Sequence, residues 1–210
     1  SVFSWKKRTK CHVFLGKSGH NTILFKRKIG QNLCNYMIDR CLDGLIKNHY
    51  ENSRNALLLS GARQVGKSYA IRKYGKANYS CFVEINFIEQ PEAIRIFQNA
   101  TSSSDLLLRL STFVQQTLVK GETLIFFDEV QAYPDVLTWI KFLVDSAEYK
   151  YALSGSLLGV QLNDIRSIPV GYLSEMEVFP LSFEEFVRAV GVGDITINSL
   201  RESWNNHTPV

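Results

Sequence analysis

Short, continuous hydrophobic runs alternate along the chain with longer segments in which apolar residues recur at helical spacing. The runs at 56–59 and 123–127 are rich in leucine, isoleucine or phenylalanine, which is typical of parallel strands covered on both faces. The segment 80–86 alternates between apolar and polar residues, which also indicates a strand. Because helical patterns separate the strands, the sequence predicts an α/β fold, a three-layer domain with a parallel sheet.

The remaining elements are predicted from periodicity and from residues that begin or end helices. Gly75 is placed to close a helix, and Ser104 with Asp105, like Ser182, is placed to cap one. Helices are predicted at 31–49, 67–74, 91–97, 106–119, 134–147 and 183–189, and further strands at 149–156 and 174–179.

One predicted strand runs into a turn with a distinctive spacing of glycines. Residues 61–68 fit the pattern G-x-x-x-x-G-K-[ST], in which glycines permit positive φ and loop N–H groups cradle phosphate. Lys67 is placed to bind the β- and γ-phosphates, and the hydroxyl of Ser68 to bind Mg²⁺. A turn that only joins a strand to a helix is the alternative, and the strand before and helix after the motif argue against it. The predicted nucleotide site comprises Gly61, Ala62, Arg63, Gln64, Val65, Gly66, Lys67, Ser68 and Tyr69.

An acidic pair follows the hydrophobic run at 123–127. Asp128 and Glu129 would lie at the carboxyl end of a central strand, the edge at which ligands bind in open α/β sheets. Asp128 suits the binding of Mg²⁺ through a water, and Glu129 suits a general base that activates the attacking water. A pair of acids that only begins a helix is the alternative. The preceding strand, and a distance of about sixty residues from the glycine-rich loop, favour the catalytic interpretation.

Small polar residues end the strand predicted at 149–156. In ATPases with a phosphate-binding loop and a catalytic glutamate, such a strand lies between the loop strand and the acidic strand, and a hydroxyl at its tip faces the γ-phosphate. Ser154 or Ser156 is the candidate sensor, and Ser154 lies nearer the strand end. A Ser-Gly-Ser turn without a function remains the alternative for each serine.

Four segments, in this order and spacing, resemble one protein family. They are Gly-Ala-Arg-Gln-Val-Gly-Lys-Ser at 61–68, Phe-Phe-Asp-Glu-Val-Gln at 126–131, Ser-Gly-Ser at 154–156 and Pro-Leu-Ser-Phe-Glu-Glu-Phe at 180–186. From about Phe25 onward the chain resembles the prokaryotic AAA-type ATPases of AAA domain family 14, which are usually followed by domain of unknown function 4143. The resemblance implies a P-loop NTPase core with parallel strands in the order 5-1-4-3-2. It also implies ATP rather than GTP, since no guanine-reading segment is present.

One position departs from the family pattern. Members often have an arginine directly after the glycine of a segment that is Ile168–Tyr172 in this chain, and Tyr172 occupies that place. Arg166 is the nearest substitute, and an arginine finger from a neighbouring subunit is another. The sequence favours neither. Arg63, within the loop, either contacts phosphate or points to solvent.

Composition agrees with a globular domain, and charge divides the chain. The 210 residues are 45% hydrophobic and 21% charged, and no apolar run approaches the roughly 18–20 residues that span a bilayer. The first 38 residues carry eight Lys or Arg and no acid, whereas the remaining 172 carry 16 basic and 20 acidic residues, so the net positive charge of the chain comes wholly from its N-terminal part. We expect residues 1–24 to be a disordered basic extension or sequence foreign to the natural protein. Residues 25–190 are the predicted ATPase domain, and 191–210 begin a truncated C-terminal region.

The four cysteines show neither C-x-x-C pairing nor histidine partners at zinc-site spacing. Cys34 and Cys41 are seven apart, so they would share one face of the helix predicted at 31–49 as small buried side chains. We therefore expect no zinc site and a reducing, cytoplasmic location.

Three functions use a phosphate-binding loop of this kind. The first is a Mg²⁺-dependent ATPase acting on an unknown protein partner or C-terminal domain, with homo-oligomerisation left open. The second is a slow nucleotide-dependent switch or scaffold. The third is a nucleotide kinase, which usually lacks the acidic pair and uses an arginine-rich lid that does not follow Glu129. Glu129 favours the ATPase, and the basic arm adds nucleic acid as a candidate partner.

Overall fold

The described structure begins with an antiparallel hairpin of strands β1 (Lys26–Ile29) and β2 (Asn32–Asn35). The computed structural model of the chain describes residues 26–29, 32–35, 38, 40–156 and 171–207. The predicted basic arm 1–24 and Arg166 lie outside these residues. The chain divides into two units, one of residues 40–181 and one that contains the described parts of 1–39 and 182–210.

The unit 40–181 contains a five-stranded parallel sheet. Its strands are β3 (Ala56–Ser60), β4 (Cys81–Asn86), β5 (Thr123–Asp128), β6 (Lys150–Ser154) and β7 (Leu173–Glu177). They lie in the order β4-β5-β6-β3-β7, and every neighbouring pair is parallel. Numbered along the chain from the loop strand and read from the opposite edge, this order is 5-1-4-3-2. The predicted topology is confirmed.

Helices cover both faces of this sheet, and the alternation of side chains along each strand decides which helices they meet. Even a strand that is apolar at every position, such as β3, sends successive side chains to opposite faces. Leu57 and Leu59 pack in one cluster, and Leu58 packs in the other. The first cluster includes residues of α1 (Cys41–Asn52) and α2 (Lys67–Asn78); the second includes residues of α3 (Ile94–Gln98), α4 (Ser103–Val114) and α5 (Val136–Asp145). The predicted three-layer architecture is confirmed.

The second unit contains two further helices, α6 (Phe183–Ala189) and α7 (Asp194–Asn206). Ser182 caps α6 as predicted: its hydroxyl accepts a hydrogen bond of 3.2 Å from the Glu185 amide, and the Glu185 carboxylate accepts one of 2.8 Å from the Ser182 amide. This reciprocal capping box satisfies two backbone donors at the helix start. The helix α7 lies in the tail for which the sequence predicted no element.

The helix predicted at 31–49 is wrong in its first half. Asn32–Asn35 is a strand that pairs with β1, and the helix begins only at Cys41. Apolar residues recur every four positions from Leu33 to Leu45, and this spacing suggested one buried helical face. Leu45 is exposed, however, and the buried face of α1 is formed by Leu42, Ile46 and Tyr50. Cys34 and Cys41 therefore do not share a helix, and Cys41 is exposed.

Two helix ends also differ from the prediction. The helix α2 continues through Gly75 to Asn78. A Cβ at Gly75 would lie 2.3 Å from the Phe82 ring, so the glycine is there for close contact between helix and sheet. The helix α4 is capped by the Ser102 hydroxyl and ends at Val114, because Gln115 adopts a left-handed conformation. The predicted cap at Ser104 and the extension to 119 are wrong.

Candidate functional site

The glycine-rich loop lies between the carboxyl end of β3 and the start of α2. Gly61 has a φ of +133°, and a Cβ there would lie 2.3 Å from the carbonyl oxygen of Val178, so only glycine fits. Gly66 has a φ of +96° and immediately precedes the helix. Ala62, Arg63 and Gln64 are exposed, while Val65 and Tyr69 are partly buried. The loop thus presents its backbone beside a helix N-terminus, the arrangement that binds phosphate.

Lys67 is buried within this loop. Its ammonium donates hydrogen bonds of 3.0 Å and 2.7 Å to the carbonyl oxygens of Gly61 and Ala62. Burial lowers the pKa of Lys67, and the nearby Glu129 and Asp128 carboxylates oppose that shift. The lysine ammonium is therefore held at the loop, and its predicted contact with phosphate stays a prediction.

Asp128 ends β5 and is almost fully buried, with 2% of its surface exposed. Its Oδ1 accepts hydrogen bonds from the Ser68 hydroxyl at 2.9 Å, from the Glu129 amide at 3.0 Å and from the Ser154 hydroxyl. Burial raises the pKa of Asp128, and the hydrogen bonds from Ser154 and Ser68 oppose this rise. The carboxylate joins the loop helix, the acidic strand and the neighbouring strand β6.

Two polar residues that the sequence prediction missed contact this carboxylate, and one of them also binds a second acid. The Arg72 guanidinium lies 3.5 Å from Asp128 Oδ2 and binds Glu84 with its Nε at 2.8 Å and 2.9 Å from the two carboxylate oxygens. The Asn86 amide donates to Asp128 Oδ2 at 3.5 Å. Arg72 lies four residues after Ser68 on the same helical face, and Asn86 pairs with Asp128 in the register of the sheet. Both positions were signals available in the sequence once the elements were assigned.

Glu129 has a left-handed backbone conformation, with φ +55°. Such a conformation is costly for a residue other than glycine and persists where surrounding contacts hold it. The Gln131 amide nitrogen donates a hydrogen bond to Glu129 Oε2, and the Gln131 amide oxygen accepts one of 3.1 Å from the Ser156 amide. The side chain of the predicted base is therefore held by a residue two positions later.

The two candidate sensor serines lie in the same site but face different groups. Ser154 is 1% exposed and bonds Asp128, whereas the hydroxyl of Ser156 accepts a contact of 3.5 Å from Arg63 Nε. Arg63 thus approaches the tip of β6. The sensing role of either serine stays a prediction.

A family model described as an AAA domain, AAA_14, matches residues 53–187, which is more than half of the chain. The chain belongs to this AAA domain family. Its ATP-binding function of AAA type follows from that membership. A solved structure of C. elegans PCH-2 is similar with a TM-score of 0.41 and 11% identity, over 67% of this chain and 39% of that chain. The chain thus spans about two fifths of the length of PCH-2, and no curated protein shows significant similarity to it.

The oxygen ligands of this AAA domain suit a hard cation such as Mg²⁺. Ser68 and Asp128 supply a hydroxyl and a carboxylate in contact with each other at the mouth of the loop. Among the described residues, no cluster of three or more His, Cys, Asp or Glu side chains is arranged to hold a metal. Because Mg²⁺ is usually held by one or two carboxylates together with substrate phosphates, the site fits an ion that arrives with a nucleotide.

Arg40 lies outside the glycine-rich motif and forms a hydrogen bond with the loop of the AAA domain. Its guanidinium donates hydrogen bonds of 2.6 Å to the Val65 carbonyl and 2.8 Å to the Phe179 carbonyl. It therefore joins the loop to the segment that follows β7. The sequence held no signal for this contact, because Arg40 fell inside the helix predicted at 31–49.

Tyr172 lies at the opposite end of the sheet from the loop. Its carbonyl accepts a hydrogen bond of 2.9 Å from the amide of Ala56, the first residue of β3, whereas the loop follows the last residue of that strand. A strand of five residues separates these ends by roughly 15 Å. A side chain at position 172 therefore lies at the edge away from the phosphate loop of its own chain.

None of the helices that the structure describes is long and apolar enough to cross a bilayer.

Proposed function

We propose that this AAA domain hydrolyses ATP to ADP and phosphate with Mg²⁺. The observation that carries the proposal is the 2.9 Å hydrogen bond between Ser68 and Asp128, which joins the phosphate loop to the acidic strand. Glu129 follows directly, and its charge opposes the lowering of the Lys67 pKa by burial. The loop, the metal ligands and the candidate base thus meet at one edge of the sheet, where ligands bind in such folds.

Each residue has a proposed part in the reaction. The backbone of 61–68 and the Lys67 ammonium bind the β- and γ-phosphates, while Ser68 and Asp128 hold the metal. Mg²⁺, when bound with the nucleotide, neutralises charge that develops on the phosphates. Glu129 accepts a proton from the water that attacks the γ-phosphorus, and the bond to the oxygen shared with the β-phosphate breaks. Ser154 and Ser156 are the proposed sensors.

A slow nucleotide-dependent switch is the second candidate, and the position of Lys67 favours it. The ammonium donates to two carbonyl oxygens of its own loop. An ammonium has three donors, so a phosphate that competes for these two bonds would couple the conformation of the loop to the bound nucleotide. The proposal also includes a protein partner or C-terminal domain on which the ATPase acts, and a cytoplasmic location. Homo-oligomerisation and nucleic-acid binding by the basic arm are further parts of it. Cys41 and Cys81 are free thiols, which supports a reducing compartment.

Phosphate release and ATP binding by the full chain test the proposal. We expect Glu129→Gln to retain ATP binding and to lose turnover, because the amide cannot accept the proton. Glu92→Gln is the matched control, since Glu92 is exposed and lies outside the site. Turnover by Glu129→Gln equal to that of the wild type would exclude Glu129 as the base. Tight ATP binding by a wild type that releases no phosphate would favour the switch.

Addition of DNA or RNA to the same assay tests the basic arm. Binding by that arm predicts stimulation of turnover or an affinity that falls steeply as salt increases. The absence of both effects would remove nucleic acid as a partner.

A further inference from the structure

Gln131 bridges the acidic pair and the tip of β6 with the two ends of one amide group. It lies in a single 3₁₀ turn, Val130–Ala132, that begins directly after Glu129. Its nitrogen donates to the Glu129 carboxylate, and its oxygen accepts from the backbone amide of Ser156 at 3.1 Å. An amide can satisfy a carboxylate and an N–H at once because it carries both a donor and an acceptor.

The contact with Gln131 supports an unusual backbone at Glu129, whose φ is +55°. The left-handed backbone of Glu129 is a conformation that needs such a supporting contact.

The other end of the bridge reaches the phosphate loop. Ser156 receives the Arg63 contact on its hydroxyl and donates its backbone amide to Gln131. A continuous series of polar contacts thus runs from Arg63 through Ser156 and Gln131 to Glu129. Networks of this kind fix side-chain orientation more firmly than single contacts do.

We propose that Gln131 is a positioning residue that fixes the orientation of the Glu129 carboxylate and couples it, through Ser156 at the tip of β6, to Arg63 of the phosphate loop. The inference rests on the proposed ATPase function. Gln131 touches neither nucleotide nor water in this role and acts only through Glu129. Its loss should therefore lower kcat while leaving ATP affinity nearly unchanged.

Two substitutions separate the two hydrogen bonds. Gln131→Met keeps the length of the side chain and loses both bonds. Gln131→Glu keeps an acceptor for the Ser156 amide but places a second carboxylate against Glu129, and like charges at this distance repel. Gln98→Met is the control, because Gln98 is exposed on α3.

The experiment measures kcat, KM and ATP affinity for these variants in the full chain, and single-turnover phosphate release in a Glu129→Gln background. We expect Gln131→Met to lower kcat about tenfold to a hundredfold, the range produced by a small misplacement of a catalytic group. Gln131→Glu should lower it further. The affinity for ATP should change less than about threefold, because the phosphate-binding groups are intact, and this binding also shows that the variants fold.

The combined variant distinguishes positioning from a structural role. If Gln131 acts through Glu129, Gln131→Met causes no further loss in the Glu129→Gln background. An equal loss in both backgrounds, or an unchanged kcat for Gln131→Met, would overturn the inference while leaving the proposed ATPase intact. A wild type without phosphate release, or Glu129→Gln with wild-type turnover, would instead overturn the proposed function and this inference with it.

Discussion

The hydroxyl of Ser68 donates a hydrogen bond of 2.9 Å to Oδ1 of Asp128, although 60 residues separate them in the sequence. The contact exists because α2 starts at the same edge of the sheet at which β5 ends. Ser154 donates to the same oxygen from β6. One buried carboxylate therefore connects α2, β5 and β6, which are far apart in the sequence.

The shared acceptor predicts different effects for the two candidate sensor serines. Ser154→Ala removes a hydrogen bond to the buried Asp128 carboxylate, whereas Ser156→Ala removes only the long contact with Arg63 and keeps the backbone bond to Gln131. We expect Ser154→Ala to lower kcat about tenfold or more and Ser156→Ala to lower it less than about threefold, since hydrogen bonds to charged groups contribute about 1.5–3 kcal/mol. Steady-state phosphate release measures both. A larger loss of kcat for Ser156→Ala than for Ser154→Ala would show that Ser156 is the more important of the two candidate sensors.

Lys67→Ala should weaken ATP binding. The ammonium is the buried cation of the loop, and its charge-assisted contacts with phosphate should contribute about 1.5–3 kcal/mol, or roughly tenfold to a hundredfold in affinity. Isothermal titration calorimetry measures the change. Lys76→Ala, on the exposed last turn of the same helix, is the control and should retain wild-type affinity. Equal affinities for the two variants would contradict the role of Lys67.

Two helical glycines should respond to alanine with opposite signs. A Cβ at Gly75 would lie 2.3 Å from the Phe82 ring and 3.1 Å from Leu124, whereas one at Gly44 has no heavy atom within 4 Å. Gly75→Ala should destabilise the fold by about 1–3 kcal/mol through overpacking. Gly44→Ala, at an exposed position of α1, should stabilise it by about 0.5–1 kcal/mol through helix propensity. Urea unfolding compares them, and a stabilising Gly75→Ala would show that the helix does not press on the sheet.

His49 should make stability depend on pH near neutrality. Burial lowers the pKa of His49 from 6.5, and the nearby Lys150 lowers it further, while the hydrogen bond of 3.0 Å from its Nε2 to the Asn55 carbonyl opposes the shift. The folded chain therefore disfavours the imidazolium. Its contribution is present above pH 6.5 and is lost as pH falls through the lower folded pKa.

The control for this titration is His49→Gln, which keeps a donor and does not titrate. Unfolding free energies of the two proteins are compared from about pH 7.5 to about pH 5, the range around an ordinary histidine pKa. We expect the wild type to lose stability relative to the variant as the pH falls. A constant difference across this range would show that burial does not affect the imidazole.

The elements nearest the site were predictable from sequence because local rules specify them strongly. The run Leu57–Leu59 is apolar on both faces, so it had to be a central strand, and the glycines at 61 and 66 had to turn the chain. Asp128 could be placed at the same edge of the sheet as the loop because the carboxyl ends of parallel strands share one edge. Ser182 and Glu185 specified the start of α6 through contacts only three residues apart.

The failures arose where a distant partner overrides the local pattern. The strand Asn32–Asn35 is satisfied by its pairing with β1, and four-residue spacing alone did not reveal that pairing. Gly75 was predicted to end a helix because glycine often stands at helix ends. Its actual role is to allow close contact with Phe82, which belongs to another element. Likewise, Arg40 carried no motif, since its partners are carbonyls that lie near it only after folding.

The phosphate loop with Lys67 and Ser68, and the acidic pair after a buried strand, could be recognised in the sequence alone. They depend on short motifs and on the period of apolar residues, which are local properties of a chain. The strand order came from the resemblance of these motifs to a family. How the acids are held depends on folding. Ser154 meets Asp128 because β6 lies beside β5, and Ser68 and Arg72 meet it because α2 packs on the sheet at the edge where β5 ends. Gln131 meets Glu129 because the chain turns directly after β5.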